Sequence, residues 1–332
     1  MLQPNTRREF LGQIGAVLAG IGFPASSPAE VATSRTAGSK PRVIVARDEA
    51  LARGAVAEHA ELLRKLLDAA MQKLTRSADA AAAWRALFTP GDRVGIKVNT
   101  LGLSTQPAVV DAIVAGLRAA GVPAENILIW DRFDVELDRA GFKLNRSAAG
   151  VKCHGTDAEH YAGGYLPDVE TSGRIGSCFS RILAEDVNAL ISVPVLKDHN
   201  LAGVSLGLKN WFGAIHNPNK YHDRNCDPYI VDVASHRYIR PRWRLTVCDG
   251  TRAQYNAGPQ RHPAYAWAYG GLLVGTDVVA VDAVAADLLE AERKARGLRP
   301  LAAEKRPPLH IATAGARGLG EADLTKIDRL EV

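Results

Sequence analysis

The sequence predicts an α/β fold: a mostly parallel sheet flanked by helices, with an irregular cap or insertion around residues 133–180. Three observations carry that expectation. Short apolar runs alternate with longer stretches of helical periodicity. Strand, loop, helix and strand follow one another in the order that parallel βαβ units require. Polar residues also stand directly after several of the expected strands, where open α/β sheets bind ligands.

The first strand is expected over Arg42–Ala46. Leucines and alanines at helical spacing predict a helix from Ala55 to Leu74 and a second from Ser77 to Phe88, ended by Pro90-Gly91. A strand over Arg93–Val98 delivers Lys97 and Asn99 to a polar loop. Pro107, whose ring presets the dihedral of a first helical turn, opens an amphipathic helix that ends at Gly121. Ile127–Trp130 is the next strand and leads into Asp131-Arg132. After the glycine-rich, weakly periodic residues 133–180, the apolar run Asn188–Val193 is a buried strand whose ladder pairing Pro194 is expected to stop. Arg244–Val247, ending at Asp249-Gly250, and Leu272–Val274 complete the sheet. Thr276 is expected to cap a helix through Asp287 and beyond, with Asp277 complementing the positive helix start.

The N-terminal Asn5-Thr6-Arg7-Arg8-Glu9-Phe10-Leu11 and the moderately apolar, glycine-containing run Gly12–Ala25 resemble a twin-arginine export signal. The run is too short and too rich in glycine for a good membrane span. Residues 1–30 are therefore expected to be a signal peptide, 31–41 a linker and 42–332 a single α/β domain. The mature chain of about 290 residues is long enough for a substantial core, and a periplasmic or other extracytoplasmic location is expected. The export machinery is then a partner. Because that route carries proteins already folded, its use suggests a cofactor inserted before export.

The net charge of +5 comes from basic residues that are mostly dispersed, which argues against nucleic acid as a partner. The densest basic patch, His236–Arg244, reads as a solvated face or as a holder of an anion. No later segment is long and apolar enough to cross a bilayer, so no stable span is expected after processing. The four cysteines Cys153, Cys178, Cys226 and Cys248 show no C-x-x-C pair, so a ferredoxin-type iron–sulfur cluster or a four-cysteine zinc site is not expected. Cys248 reads as a buried small hydrophobe. Cys153 with Cys178 is the first candidate for a disulfide.

Chemistry concentrates between Pro194 and His222, where three histidines and three lysines interleave with Leu206, Leu208, Trp211, Phe212 and Ile215. Lys197 and His199 are expected just beyond the end of a strand, facing a crevice. A lysine flanked by Gly207, Leu208, Asn210 and Trp211 is partly desolvated, which lowers its pKa and suits Lys209 to covalent or proton-transfer work. Imidazoles are the commonest transition-metal ligands, and a loop-rich segment can fold His199, His216 and His222 together. His199, Lys209 and Lys197 are thus the candidate catalytic residues, and His222 and His216 the candidate metal ligands. Lys97, Asn99, Asp131, Asn210 and Asp249 are the candidate substrate contacts. Asp131, Asp249 and Asp282 flank sheet edges, where capping and turn formation explain them as well as ligand binding does. His59 and His310 read as surface or packing residues.

From about residue 42 onward the chain resembles the bacterial and archaeal family called domain of unknown function 362. The residues that carry this are Lys97-Val98-Asn99, Pro194-Val195-Leu196-Lys197-Asp198-His199, Gly207-Leu208-Lys209-Asn210, Asp249-Gly250, Gly258-Pro259, Asp277–Asp282 and Gly318-Leu319-Gly320. Many members of that family carry an added ferredoxin-like segment, whose cysteine spacings this chain lacks. A narrower stretch, His199, Ala202-Gly203, Ser205, Gly207, Lys209, Gly213 and His222, resembles the N-terminal domain of the nickel-pincer lactate racemase family. That resemblance implies an acid/base role for His199, a cofactor anchor at Lys209 and a metal ligand at His222. The chain departs from it at Leu206, where that family has glycine. It also has no histidine after the Lys97–Asn99 strand, where the racemases supply a second acid/base residue.

Two functions remain open from the sequence. One is an exported enzyme of the oxidoreductase or isomerase type, acting on a small polar substrate such as a hydroxy acid or sugar derivative with a nickel-pincer-like or other transition-metal cofactor. The other is a periplasmic binding protein that holds an anionic small molecule through Lys97, Lys197 and Lys209 without catalysis.

Overall fold

The computed structural model describes residues 39–157 and 164–332. The signal-like segment and most of the linker lie outside the described residues, whereas Ser39–Val332 form one unit by their contacts. The chain runs through β1 (Arg42–Arg47), α1 (Ala60–Thr75), α2 (Ala80–Arg85), β2 (Val94–Val98), α3 (Pro107–Ala119) and β3 (Ile127–Trp130). It continues through α4 (Asp134–Arg139), β4 (Lys152–Cys153), the two-stranded ribbon of β5 (Glu170–Ser172) and β6 (Ile175–Ser177), and β7 (Ala189–Val193). Next come β8 (Val195–His199), β9 (Gly203–Val204), α5 (Gly207–Asn210), α6 (Tyr229–Ala234), β10 (Trp243–Gln254) and β11 (Ala266–Trp267). The chain closes with β12 (Gly271–Gly275), α7 (Val278–Ala295), α8 (Leu309–Ala316) and β13 (Asp328–Glu331).

Eleven strands make the main sheet, with the path β13-β1-β12-β10-β7-β2-β3-β4. Along it only β12 runs antiparallel to its neighbours. The α/β, mostly parallel class is the one the sequence predicts. Alternate strand residues serve opposite faces, as a period of two requires. Val43 and Val45 enter one apolar cluster with Trp130 and Leu190, while Ile44 and Ala46 enter another with Ile96, Val98 and Ile191. Among the described residues no helix is long and apolar enough to cross a membrane.

From β2 the chain steps outward through β3 and β4, whereas from β7 it steps the other way to β10. The strand order therefore reverses between β2 and β7. At such a switch point the two connections leave in opposite directions and open a crevice at the carboxyl ends of the strands.

Several boundaries differ from expectation. Pro194 does not end the pairing: its carbonyl accepts the Asp249 N–H at 2.8 Å, and the chain re-enters the sheet as β8 beside β10. A proline lacks a donor but keeps its acceptor, so it interrupts a ladder from one side only. β10 likewise runs twelve residues, through Asp249-Gly250, because it must span both β7 and β8. The cap of α7 is Asp277, whose side chain accepts the Ala280 N–H, and not Thr276. All four cysteines are free thiols, so Cys153 and Cys178 are not bridged. The basic patch is largely tied down within the protein. Arg244 pairs with Asp92, Arg237 with Glu170, and His236 stacks on Phe179 at 3.9 Å.

Candidate functional site

A cavity of about 360 Å³ opens at the switch point. Its walls come from the end of β2 (Lys97, Asn99), the turn after β3 (Asp131, Arg132), α4 (Glu136), the end of β8 (His199), and the segment Ser205–His222.

The β2 side is built on a buried ion pair. Lys97 Nζ lies 2.6 Å from Asp131 Oδ1 and donates to the Val98 carbonyl at 2.7 Å, while Asp131 Oδ2 accepts the Thr100 N–H and hydroxyl, both at 2.9 Å. Burial pushes the Lys97 pKa down, and Asp131 opposes that shift. Asn210 spans the switch point, its amide donating to the Lys97 carbonyl and to Ser192 of β7, both at 3.1 Å. Gly213 lets this turn approach the pair. A Cβ there would meet Lys97 Nζ at 2.8 Å and Asp131 Oδ1 at 2.9 Å.

α5 is placed by a carboxylate reaching across from α7. Asp282 accepts the N–H groups of Gly207 and Leu208, each at 2.8 Å, so it works as a cap and not as a substrate group. One residue after Leu208, Lys209 projects into the cavity, 8% exposed. Its Nζ lies 3.2 Å from His222 Nε2 and 4.6 Å from the Phe212 ring centre, and among the described residues no carboxylate pairs with it. Burial holds its pKa down to about 8. Lys209 is therefore expected to label with amine reagents at a rate that climbs through about pH 8, because the neutral amine is the reactive form, whereas ordinary exposed lysines climb near pH 10.4. Competitive labelling read by peptide mass against pH checks this, and a midpoint at the ordinary value would contradict it.

His222 is oriented by its Nδ1, 2.9 Å from the Pro218 carbonyl, and its ring stacks beside that of His199 with centroids 5.8 Å apart. Burial and then the neighbouring Lys209 lower the pKa values of both imidazoles. The expected residues Lys97, Asn99, Asp131, His199, Lys209, Asn210 and His222 thus meet in one cavity.

Three expected residues do not join them. Lys197 lies on β8, fully buried behind the wall, and its Nζ donates to Asn99 Oδ1 at 2.8 Å and to the carbonyls of Leu101 and Leu103 at 2.5 and 2.8 Å. Burial and Lys209 press its pKa down to about 7, yet those acceptors take all three N–H bonds of an ammonium. It holds the loop after β2 and has no face on the cavity. Asp249 is also internal. It accepts the Gln106 N–H at 2.8 Å and the N–H and hydroxyl of Thr251 at 2.9 and 2.6 Å, fixing the start of α3, because β10 continues past it. His216 is exposed and packs edge-on against Tyr165 at 5.1 Å, away from His222.

The sequence reading missed Arg132, Glu136, Ser205, Phe212 and Gln260 as cavity residues. Arg132 had a signal, since it directly follows Asp131 after β3, whereas Glu136 lies a turn further on, within α4. His310 on α8 is fully buried, and both its ring nitrogens lack a hydrogen-bond partner among the described residues. Burial, and then Lys209, hold its pKa down to about 3.

The family described as a domain of unknown function (DUF362) matches residues 94–287, more than half of the chain. The chain belongs to the DUF362 family. The matched region of this DUF362 protein runs from β2 into α7 and includes each of the seven residues that meet in the cavity. No curated protein and no solved structure matches the chain.

Proposed function

We propose that this DUF362 protein is an exported enzyme of the oxidoreductase or isomerase type, acting on a small polar substrate such as a hydroxy acid or sugar derivative with a metal or organometallic cofactor held at Lys209 and His222. The observation that carries this reading is the 3.2 Å approach of Lys209 Nζ to His222 Nε2 in the wall of the cavity, with no carboxylate pairing the lysine among the described residues. A buried amine with a lowered pKa and an adjacent imidazole is the arrangement that makes lysine a covalent anchor.

The donor set fits such a group in a particular way. His222 has its Nδ1 committed to a backbone carbonyl, the outer contact that orients a ligating imidazole. Among the described residues no group of three or more His, Cys, Asp or Glu side chains is arranged to hold a metal ion. A metal here would therefore take ligands beyond His222 from an organic group anchored at Lys209 or from solvent. When bound, that group supplies the acceptance of hydride or electrons that protein side chains lack. The chain's own part is to bind and orient. Arg132 presents positive charge to an anionic substrate beside the mutually neutralised Lys97–Asp131 pair, and Phe212 and Leu201 narrow the cavity around it.

The test is elemental analysis with intact and peptide mass on protein from its native source, where cofactor assembly is available. Metal in stoichiometric amount and an added mass on Lys209 are expected. Protein with neither would favour an anion-binding protein without catalysis. Export is tested separately: replacing Arg7 and Arg8 by lysine is expected to leave the precursor in the cytoplasm, and an equal extracytoplasmic yield of the double variant would overturn the export reading.

A further inference from the structure

We propose that His199 serves this cavity as a fixed N–H donor to an oxygen of the bound ligand, and not as a base. The proposal rests on the cavity being the working site but not on any cofactor. His199 Nδ1 accepts two backbone N–H groups, those of Leu201 and Ala202, each at 3.1 Å. A ring nitrogen that faces two donors carries its lone pair there, so the proton of the neutral imidazole resides on Nε2. The turn that supplies both donors joins β8 to β9, and Gly203 closes it at a φ of +78°, with the Arg306 carbonyl 2.4 Å from where a Cβ would stand. The ring is thus held by main chain on one edge and presents Nε2–H on the other. Among the described residues that N–H has no partner, and the side chain lines the cavity.

The neighbouring imidazole has the opposite polarity. His222 Nδ1 lies 2.9 Å from the Pro218 carbonyl, which can only accept, so Nδ1 carries the proton and Nε2 the lone pair. Of the two stacked rings only His222 has its lone pair on Nε2, where Lys209 Nζ lies 3.2 Å away. Asn99 adds a second oriented donor. Its Oδ1 accepts from the Lys197 ammonium at 2.8 Å, which leaves the amide NH2 as the group not engaged by that lysine. His199 and Asn99 accordingly each bring a donor to the cavity that both line. Donors held in place before the ligand arrives stabilise a carbonyl, carboxylate or enolate oxygen without reorganising, and a neutral imidazole N–H does so without giving up its proton.

The experiment is 15N NMR of the purified mature protein, labelled at histidine and free of added metal, before and after addition of oxalate as a small carboxylate probe. The His199 ring is expected to show the Nε2–H tautomer and His222 the Nδ1–H tautomer. Assignment uses the loss of one pattern in His199→Asn. It is backed by couplings across the hydrogen bonds from the Leu201 and Ala202 amides to Nδ1, which need no variant. Oxalate is expected to shift the His199 Nε2–H proton downfield. A protonated Nδ1 on His199, tautomers averaged between both nitrogens, or oxalate bound with the Nε2–H resonance unmoved would each overturn the donor role. None of these readings depends on the metal and lysine-adduct analysis, so the two ideas fail separately.

Discussion

Replacing Lys209 by methionine is expected to give a folded protein without covalent cofactor and without turnover. The reason lies in the balance of terms at the amine. Lys209 is buried and has no carboxylate among the described residues, so the fold bears the desolvation of its charged form with little return. An apolar side chain of similar length removes that cost, and the variant is expected to match or exceed the parent in denaturant midpoint below about pH 8. Its advantage shrinks as pH rises from about 8 toward 10.5, the interval in which the unfolded lysine still binds a proton and the folded one does not. Loss of function with retained stability separates a functional lysine from a structural one. His222→Ala is expected to lose bound metal, because a methyl group cannot ligate, yet to keep any group joined to Lys209. Intact mass, elemental analysis and urea titration across pH are the measurements. An adduct persisting in Lys209→Met would place the anchor elsewhere.

Arg306→Met is expected to destabilise the protein by about 3–5 kcal/mol, the cost of stripping one partner from a buried ion pair. Arg306 Nη1 lies 2.6 Å from Asp198 Oδ2, and the Asp198 side chain is 0% exposed. Asp198 also accepts the Gly258 N–H at 2.7 Å, and Arg306 reaches Asn256, Glu304 and the His199 carbonyl. This network fastens β8, which bears His199, to the segment between α7 and α8. Burial raises the Asp198 pKa even with the guanidinium in place. Without it the carboxyl is expected to take up a proton, which limits the loss. Adding Asp198→Asn to Arg306→Met is therefore expected to restore part of the stability, since a neutral amide leaves no unpaired charge. Denaturant midpoints of the two single variants and the double variant test the coupling. Strictly additive effects would show that the pair does not act as one unit.

Much of this architecture was legible from local signals. Period-two apolar runs separated by amphipathic helices specify strands and crossovers, and the right order of them specifies a parallel sheet, because each element must bury one face against the next. The polar residues placed directly after strands Val94–Val98 and Ile127–Trp130 could be assigned to a crevice, since parallel strands align their carboxyl ends. Lys209 and His222 could be singled out as candidates from their setting among apolar and glycine residues, which ordinary surface loops lack, and the fold places both in the wall of one cavity.

What local signals could not decide is the direction in which a side chain leaves a strand that tertiary pairing creates. β8 exists because the long β10 runs beside it past Pro194, and Lys197, two residues deeper along that strand than His199, spends its ammonium on the Asn99–Leu103 loop. The backbone turn after His199 settled which ring nitrogen holds the proton, a matter on which residue spacing is silent. Asp249, Asp282 and His216 were likewise sorted only by contacts distant in sequence, through Gln106, Gly207 and Tyr165. Sequence spacing constrains which residues can share an element face. The partner of a buried polar group is set by whichever unsatisfied donor or acceptor the closed fold brings to it, because leaving that group unpaired costs more than any local preference returns.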